Sequence, residues 1–336
     1  MKNISPDRVH LTTDEAQALS EQALRRTGYD AEEAKIIADH VMDAALCGYE
    51  YSGLPKILNV VEHQQLRKPR RRMRAIHETP MSALFDGGNN NGMVTMFRAT
   101  QVVIRKATEH GFGLAGVNNT WVSGRSAHYV EMVARAGLVG MHSVNSRTHV
   151  AAPGSKTGVT GTNPVAYGFP TQNEPFVIDF GAAAFMGTDL KFQERRKAVL
   201  PEGVAIDKDG NPTRDPLKVA TILPFGGYKG FAMAMAMQAL GVLAGSGLGE
   251  DKTYGYLIMA IRPDLMLPLE DFKRHMSEML AKVKATPRLP GVDEIRLPGE
   301  RSFRERARLR KEGIVIDKKI YDALANLPEA KIPAFS

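Results

Sequence analysis

The chain has 336 residues, of which 43% are hydrophobic and 24% are charged, and its formal net charge is +7. Such a chain forms one large domain or two to three smaller ones, with enough apolar material that its stability does not require disulfides. The single cysteine, Cys47, excludes an intramolecular disulfide and a multi-cysteine metal site, so we expect a cytoplasmic protein without a bound metal.

Much of the positive charge lies in a basic run at residues 67–74. A run of this kind either binds nucleic acid or forms a solvated connector between a helix and a strand. No zinc finger, helix-turn-helix or aromatic RNA-binding motif accompanies it, so we expect no nucleic-acid partner. We also expect no membrane association, because the longest apolar stretch, residues 231–245, is shorter than the roughly 20 residues that span a bilayer.

Helical patterns dominate the first 66 residues. Three helices are predicted there, over residues 12–24, 30–46 and 56–66. After the basic run, residues 83–92 predict a short strand and a glycine-asparagine turn. Residues 94–109 predict a helix that ends at Gly111.

From residue 113 onward, short apolar runs alternate with helical patterns. Strands are predicted at residues 114–117, 138–144, 164–169, 176–180 and 257–262. Long helices are predicted at residues 227–244 and 269–286, and the tail ends in another helix. The alternation indicates a chain with both helices and strands, but the periodicity does not show how they are arranged.

Residues 111–116 contain a literal G-x-G-x-x-G pattern. A Rossmann fingerprint follows a strand and opens a helix, so that the helix N-terminus meets the pyrophosphate. This pattern instead follows a predicted helix and leads into an apolar strand. We therefore interpret Gly111 as the end cap of that helix and not as part of a dinucleotide site.

Two glycine-containing blocks and one aspartate are candidates for chemistry. The first block is GTNP at residues 161–164, and the second is LPFGGYKGF at residues 223–231, where glycines precede a long helix. Glycines let backbone N–H groups approach phosphates, and a helix N-terminus attracts negative charge. Lys229 adds a positive charge, although the block also fits a surface turn. Asp179 ends an apolar strand, where a carboxylate orients a substrate or caps a helix.

These blocks, the run at residues 117–187 and LPGE at residues 297–300 resemble the malate/L-lactate dehydrogenase family of type 2. The resemblance extends over about residues 10–325. It implies an α/β fold of the L-sulfolactate dehydrogenase type, with a non-Rossmann mixed-sheet cofactor domain at residues 76–289. It also implies a helical domain formed by residues 1–75 together with residues 290–336.

The resemblance further implies NAD or NADP as cofactor, a small carboxylate substrate and a homodimer. The choice between NAD and NADP stays open, because the basic residues at 191 and 195–197 meet either a 2′-phosphate or solvent. The positions that match the family's cofactor site are Val122, Ser123, Asn145, Pro153, Gly154, Gly161, Thr162, Asn163, Pro164, Gly226, Gly227 and Lys229.

Three departures from the family pattern fall in the expected active site. Ser52 stands where the family has a histidine, Lys56 where it has a carboxylate-binding arginine, and Val122 where it has a second histidine. Valine cannot transfer a proton, and lysine gives up bidentate recognition of a carboxylate. Because the changes are clustered, we interpret them as a sign of a different substrate or reaction.

The candidates for a replacement proton carrier are Tyr49, Tyr51, His128 and His149. We favour His149, because its loop matches one that flanks the nicotinamide in the family. His128 follows Val122 by six residues, so on a shared helix it is expected to point elsewhere. The predicted catalytic residues are Ser52, Lys56, Asp179, His149 and Tyr49.

The leading hypothesis is hydride transfer between the nicotinamide and C2 of a 2-oxo, 2-hydroxy or 2-imino carboxylate. An imino substrate fits the loss of histidine, because an iminium is already protonated and needs no further donor. Two alternatives stay open on the same scaffold: a redox-neutral, lyase-type reaction, and a cofactor-binding protein without turnover.

Overall fold

The computed structural model describes residues 7–146, 148–247, 254–330, 332, 333 and 335. The helices of this part are α1 (Thr13–Arg26), α2 (Ala31–Leu46), α3 (Pro55–Val61), α4 (Gly92–His110), α5 (Ser126–Arg135), α6 (Gly187–Arg196), α7 (Tyr228–Leu243), α8 (Leu269–Lys284), α9 (Glu300–Glu312) and α10 (Lys318–Ala325). Its strands are β1 (Arg8–Leu11), β2 (Arg74–Glu78), β3 (Ser82–Asn91), β4 (Phe112–Trp121), β5 (Val139–Asn145), β6 (Val150–Ala151), β7 (Gly158–Thr160), β8 (Val165–Phe169), β9 (Phe176–Phe180), β10 (Ala205–Ile206), β11 (Thr221–Ile222), β12 (Gly255–Ile261) and β13 (Ile314–Asp317).

A seven-stranded mixed sheet forms the centre of the fold, in the order β2-β3-β4-β12-β5-β8-β9. Only β3 and β4 pair in parallel, with Phe85 opposite Val117, and the other neighbouring strands are antiparallel. A doubly wound Rossmann sheet is mostly parallel, so this topology is of another kind. The predicted α/β fold with a non-Rossmann mixed sheet is confirmed.

The two ends of the chain pack together beside this sheet. Strand β1 pairs antiparallel with β13, so that Leu11 lies opposite Ile314. Helix α2 contacts α9, and α1 contacts α10. Their apolar side chains share one core, in which Leu24, Ile37 and Leu324 are buried. This packing groups the N- and C-terminal segments as the sequence suggested, while the domain boundaries at residues 75 and 290 stay a prediction.

Local capping explains where several helices begin and end. Thr12 and Glu15 form a reciprocal capping box at the start of α1, and Asp30 caps α2. Helix α4 ends at Gly111, whose φ of 84° lies in the left-handed region. A Cβ on Gly113 would lie 2.3 Å from the carbonyl oxygen of Val103, so this glycine serves the close packing of α4 on β4. The interpretation of Gly111 as the end cap of the helix is confirmed.

Elements that depend on distant partners were predicted less well. The predicted third helix stops at Val61, and a short 3-10 turn, Gln64–Arg67, follows it. The predicted short strand at 83–92 is the ten-residue β3, with an irregular register between Asp86 and Asn90. The sequence analysis missed the two-stranded sheet of β1 and β13, because each strand has four residues and forms only against the other.

A second sheet of four short strands, in the order β10-β11-β6-β7, carries the segments around residues 150–160 and 205–222. Strands β11 and β6 pair in parallel at Ile222 and Val150, and the other pairs are antiparallel. No helix among the described residues has the length and apolarity needed to cross a bilayer.

The basic run is held partly inside the protein. Arg70 is buried, and its Nη1 donates to both carboxylate oxygens of Glu33 at 2.8 Å. Arg71 and Arg74 both contact Asp86. The ring of Phe335 covers the Arg70 guanidinium at 4.1 Å. The rest of the run is largely exposed and joins a helical turn to β2, as expected of a solvated connector, and Arg70 is the buried exception.

We predict that Arg70→Met lowers the free energy of unfolding by about 3–5 kcal/mol, because it leaves the Glu33 carboxylate buried without its partner. Chemical denaturation measures the change. Arg67→Met is the matched control, since Arg67 belongs to the same run and is exposed, and we expect it to change stability by less than about 0.5 kcal/mol. Equal effects in the two variants would contradict a structural role for the buried pair.

Candidate active site

The segment that follows Asp179 brings the glycine-containing blocks together. The Ala182 N–H donates to the Thr162 carbonyl at 2.8 Å, and the Phe225 N–H donates to the Ala182 carbonyl at 2.9 Å. The Ala184 N–H donates to the carbonyl of Leu223 at 2.8 Å. The segment after β9 therefore lies between the 161–164 loop and the turn that begins α7. Blocks that are more than 60 residues apart in sequence thus form one wall.

The 161–164 loop is rigidly fixed. A Cβ on Gly161 would lie 2.0 Å from the Ser146 Oγ, so only glycine fits there. The buried side chain of Asn163 accepts from the Ser146 N–H at 3.0 Å and donates to the Ala234 carbonyl at 2.9 Å. Asn163 thereby joins the loop to α7, and the carbonyl of Pro164 accepts from the N–H of Val144.

The N-terminus of α7 is open. Gly226 and Gly227 have φ values of 56° and 62°, and a Cβ at either position would meet no atom within 4 Å. Lys229 is exposed in the first turn of the helix. An anionic phosphate fits this place for three reasons. The backbone conformation is one that mainly glycine adopts, the space is free, and the helix N-terminus is the positive end of the helix dipole.

The other predicted cofactor positions lie on the two sheets. The Asn145 side chain donates to the Ser246 Oγ at 2.7 Å and accepts from the Gly255 N–H, so its amide holds β5 against α7 and β12. Pro153 and Gly154 are exposed in the loop between β6 and β7. His149 is exposed directly before β6. Its role as a proton carrier, like the cofactor contacts of the others, stays a prediction.

Val122 lies in the loop between β4 and α5. Its φ of 57° is strained for a β-branched residue, and its side chain packs against the core shared by the chain ends. Helix α5 begins only at Ser126, so the expectation that Val122 and His128 share a helix is wrong. The carbonyl of Ser123 accepts from the Tyr129 hydroxyl at 2.6 Å.

His40 lies directly beneath this loop. A Cβ on Gly124 would lie 2.1 Å from the His40 Nε2, and the Arg125 N–H donates to that nitrogen at 2.8 Å. Since Nε2 accepts, Nδ1 carries the proton in neutral His40. Burial and then the charge of His128 lower the pKa of His40 well below its usual range. His40 therefore stays neutral near pH 7 and supports the loop.

Asp43 is the centre of a buried ionic cluster. It contacts the Arg125 Nη1 at 2.7 Å, the Arg306 Nη2 at 2.7 Å and the His128 Nδ1 at 3.4 Å. Burial opposes ionisation of Asp43, but the His128 hydrogen bond and the two arginine charges outweigh it and hold its pKa below the usual range. Arg306 also binds both carboxylate oxygens of Glu131.

Asp179 caps a helix in this geometry. Its Oδ2 accepts from the Ala127 N–H at 2.8 Å and so caps α5 from another element. The residue as a whole is exposed to solvent in the single chain. The surrounding protein reduces the hydration of its carboxylate and so raises its pKa, although the Ala127 amide and the charge of Arg125 act in the opposite direction.

Two tyrosines, Tyr49 and Tyr51, lie near Asp179, and we call the region around these three side chains the cleft. The guanidinium groups of Arg125 and Arg301 lie 5.4 and 4.8 Å from the centre of the Tyr49 ring, and Ser302 donates to the Tyr49 hydroxyl at 3.3 Å. Tyr51 packs edge-on against Tyr49 with ring centres 6.3 Å apart. Burial and the charge of Asp189 raise the pKa of Tyr51, so its phenol stays protonated near pH 7.

Lys56 is the most unusual group of the cleft. It is 7% exposed, at the start of α3, and its ammonium has no anionic or hydrogen-bonding partner among the described residues. Burial, followed by the charge of Lys191 on α6, lowers the pKa of Lys56 to about 8. A buried cation without a counterion favours the binding of an anion.

Comparison with known proteins agrees with this geometry. Residues 11–325 match the family described as malate/L-lactate dehydrogenase. The chain belongs to this family. It is an enzyme of the oxidoreductase class, as the names of its relatives indicate.

Three relatives of the dehydrogenase illustrate the range of the family. The chain is 32% identical to L-sulfolactate dehydrogenase from Methanocaldococcus jannaschii, over 90% of this chain and 92% of the relative. It is 28% identical to ureidoglycolate dehydrogenase (NAD(+)) from Escherichia coli O157:H7, over 91% and 92%. The structure of delta1-piperideine-2-carboxylate reductase from Pseudomonas syringae pvar. tomato has a TM-score of 0.84 at 26% identity, covering 95% and 99%.

The structure adds cleft residues that the sequence analysis of this dehydrogenase missed. Arg125, Arg301 and Asp189 contact or influence the predicted tyrosines. Lys191 was considered only for a cofactor 2′-phosphate, whereas its charge acts on Lys56. The side chains of residues 195 and 196 lie outside the described part. The clustered basic residues were the signal that the sequence offered for these positions. Where their side chains lie depends on the loop before α5 and on α6.

The capping contact of Asp179 and its predicted catalytic role can be separated by two substitutions. Asp179→Asn keeps an oxygen that accepts from the Ala127 N–H, whereas Asp179→Ala loses the cap and about 1 kcal/mol of stability. If the charge acts on the substrate, we expect both variants to lose about 100-fold in kcat/KM. Thermal unfolding and steady-state kinetics measure the two effects, and an active Asp179→Asn would limit this residue to capping.

Proposed function

We propose that the protein is an NAD(P)-dependent oxidoreductase that acts on a small 2-oxo/2-hydroxy or cyclic 2-imino carboxylate. The observation that carries the proposal is the meeting of the two glycine-containing blocks with the segment after Asp179 in one wall. The buried Lys56, which has no partner among the described residues, adds a positive charge that suits an anionic ligand. The relatives support it, since their names include an NAD(+)-dependent dehydrogenase and a reductase of a piperideine carboxylate. The bound nicotinamide supplies or accepts a hydride at C2 of the substrate.

The positive charges of the cleft suit the phosphates of the cofactor and the carboxylate of the substrate. The open N-terminus of α7, with Gly226, Gly227 and Lys229, would hold cofactor phosphates. Lys56, Lys191 and the partly exposed face of Arg125 make the substrate end positive, which attracts a carboxylate.

The first experiment tests cofactor binding and turnover together. We expect protein fluorescence to be quenched on titration with NADH or NADPH, and reduced cofactor to be consumed when a 2-oxo acid or a cyclic imino acid is added. Suitable substrates are pyruvate, oxaloacetate and delta1-piperideine-2-carboxylate. Binding without turnover of any of them would favour a protein that only binds the cofactor, and substrate conversion with retained NADH would favour a redox-neutral reaction.

Two glycine variants form a matched pair for the cofactor. Gly227→Val fills the free space at α7 and strains a positive φ, so we expect cofactor affinity to fall at least about tenfold. Gly203→Val imposes the same strain at a φ of 74° in a different loop, also with nothing within 4 Å of its Cβ. Similar losses of affinity in the two variants would contradict phosphate binding at α7.

We also propose that the protein forms a homodimer through α7. This helix is apolar on most sides, yet Met235, Val242 and Leu243 are 48%, 59% and 63% exposed in the single chain. Phe225 and Tyr228 extend the patch beside the helix N-terminus. A contiguous exposed apolar face of this kind marks an interaction surface.

Light scattering in solution tests the dimer. We expect a mass close to twice 36.8 kDa and a shift to the monomer in Val242→Glu, because a carboxylate would be buried without a partner. Val199→Glu is the control, since Val199 is 70% exposed and lies away from α7. A monomeric wild type would contradict this interface.

A further inference from the structure

Two histidines beside Arg125, His40 and His128, are held by contacts within the protein. His40 is buried and its Nε2 is bound to the Arg125 amide, and His128 is held against Asp43. Ser52 and Val122 occupy the two positions where the family has histidine. Among the described side chains of the cleft, Lys56 is the buried group with an acidic proton and no partner of its own.

The position of Lys56 connects it to the substrate end of the cleft. It is the second residue of α3, four residues after Ser52. The charge of Lys191 acts on Lys56, and the charge of Lys56 acts in turn on the buried His40, so the three side chains are neighbours. Helix α6, which carries Lys191, packs on the segment Glu50–Ser52. Two neighbouring cations with no described anion between them leave room for an anionic substrate.

We propose that Lys56 binds the substrate carboxylate and also donates the proton to the C2 oxygen of a 2-oxo acid. This role rests on the proposed function. The carboxylate and the C2 oxygen of a 2-oxo acid are adjacent, so the three N–H donors of one ammonium reach both. An arginine at this position binds a carboxylate well but does not release a proton, whereas a buried lysine does.

The step balances as follows. C2 of the substrate receives the hydride from the reduced nicotinamide, and the electron pair of the C=O π bond moves to the oxygen. That oxygen takes a proton from the Lys56 ammonium, which becomes a neutral amine and is protonated again from solvent. In the reverse direction, the neutral amine accepts the hydroxyl proton while hydride leaves C2 for the oxidised cofactor.

The pH dependence has a defined sign. Reduction requires the protonated amine, so kcat/KM for a 2-oxo acid falls as pH rises through about 8. Oxidation of the 2-hydroxy acid requires the neutral amine and rises over the same range. Lys191→Met removes a cation that disfavours the charged form of Lys56. We therefore expect the pH at which kcat/KM falls to rise by about half a pH unit or more in this variant.

A comparison of 2-oxo acids with an imino acid separates proton donation by Lys56 from binding of the carboxylate. Lys56→Arg keeps the positive charge, so we expect KM to change by less than about tenfold while kcat for pyruvate or oxaloacetate falls about 100-fold or more. The iminium of delta1-piperideine-2-carboxylate is already protonated, so its kcat falls far less in the same variant. Two results would overturn the proton-donor role alone. One is an equal loss of kcat for the 2-oxo acids and the iminium substrate, and the other is a fall of kcat/KM at basic pH that is unchanged in Lys56→Arg.

The ionisation of Lys56 is also measured without turnover. The cofactor-free protein is reductively methylated with ¹³C-formaldehyde, and the Lys56 resonance is identified by its absence in Lys56→Arg. We expect it to titrate near 8 and to move to higher pH in Lys191→Met. Titration near the ordinary lysine value of about 10.4 overturns the inference. No turnover by the wild type on any substrate would overturn the proposed function, and with it this role.

Discussion

The arrangement of the cleft depends on one carboxylate, that of Asp43. It extends from α2 and binds Arg125 in the loop before α5, His128 on α5 and Arg306 on α9. One buried anion therefore joins the N-terminal helices, the central sheet and the C-terminal tail. A buried ion pair is stabilising only where the geometry compensates for lost hydration. Here three cationic or polar donors surround the carboxylate, and removing it would leave the buried Arg306 and the largely buried Arg125 with fewer partners.

This cluster fixes the loop that contains Val122. Arg125 is held at both its amide and its guanidinium, by His40 and Asp43. The intervening Gly124 contacts His40 so closely that no side chain fits. Val122 retains a positive φ and turns its side chain toward the apolar core. The backbone geometry of the loop is thus maintained by neighbouring contacts, and the Val122 side chain has no proton to transfer.

The sequence predicted those features whose cause is local. Gly111 at the end of α4, the caps of α1 and α2 and the strand around Asp179 follow from spacing and residue type. The arrangement of the cleft was predictable only through the family resemblance, which pointed to Lys56 and Asp179. The directions of Arg125 and Lys191 were not predictable, because each is set by contacts with residues more than 80 positions away or on another helix. The pairing of β1 with β13 has the same cause.

The three departures that the family resemblance implies would have a common physical consequence. Valine and serine do not titrate near neutrality as a histidine does, whereas a lysine can do so once it is buried and an arginine cannot. An arginine remains charged under all these conditions, so its burial beside Lys191 would cost more than that of a lysine, which can lose its proton. The neighbouring cation and the low exposure of position 56 therefore favour lysine there, and they make the charge of the cleft depend on pH near 8.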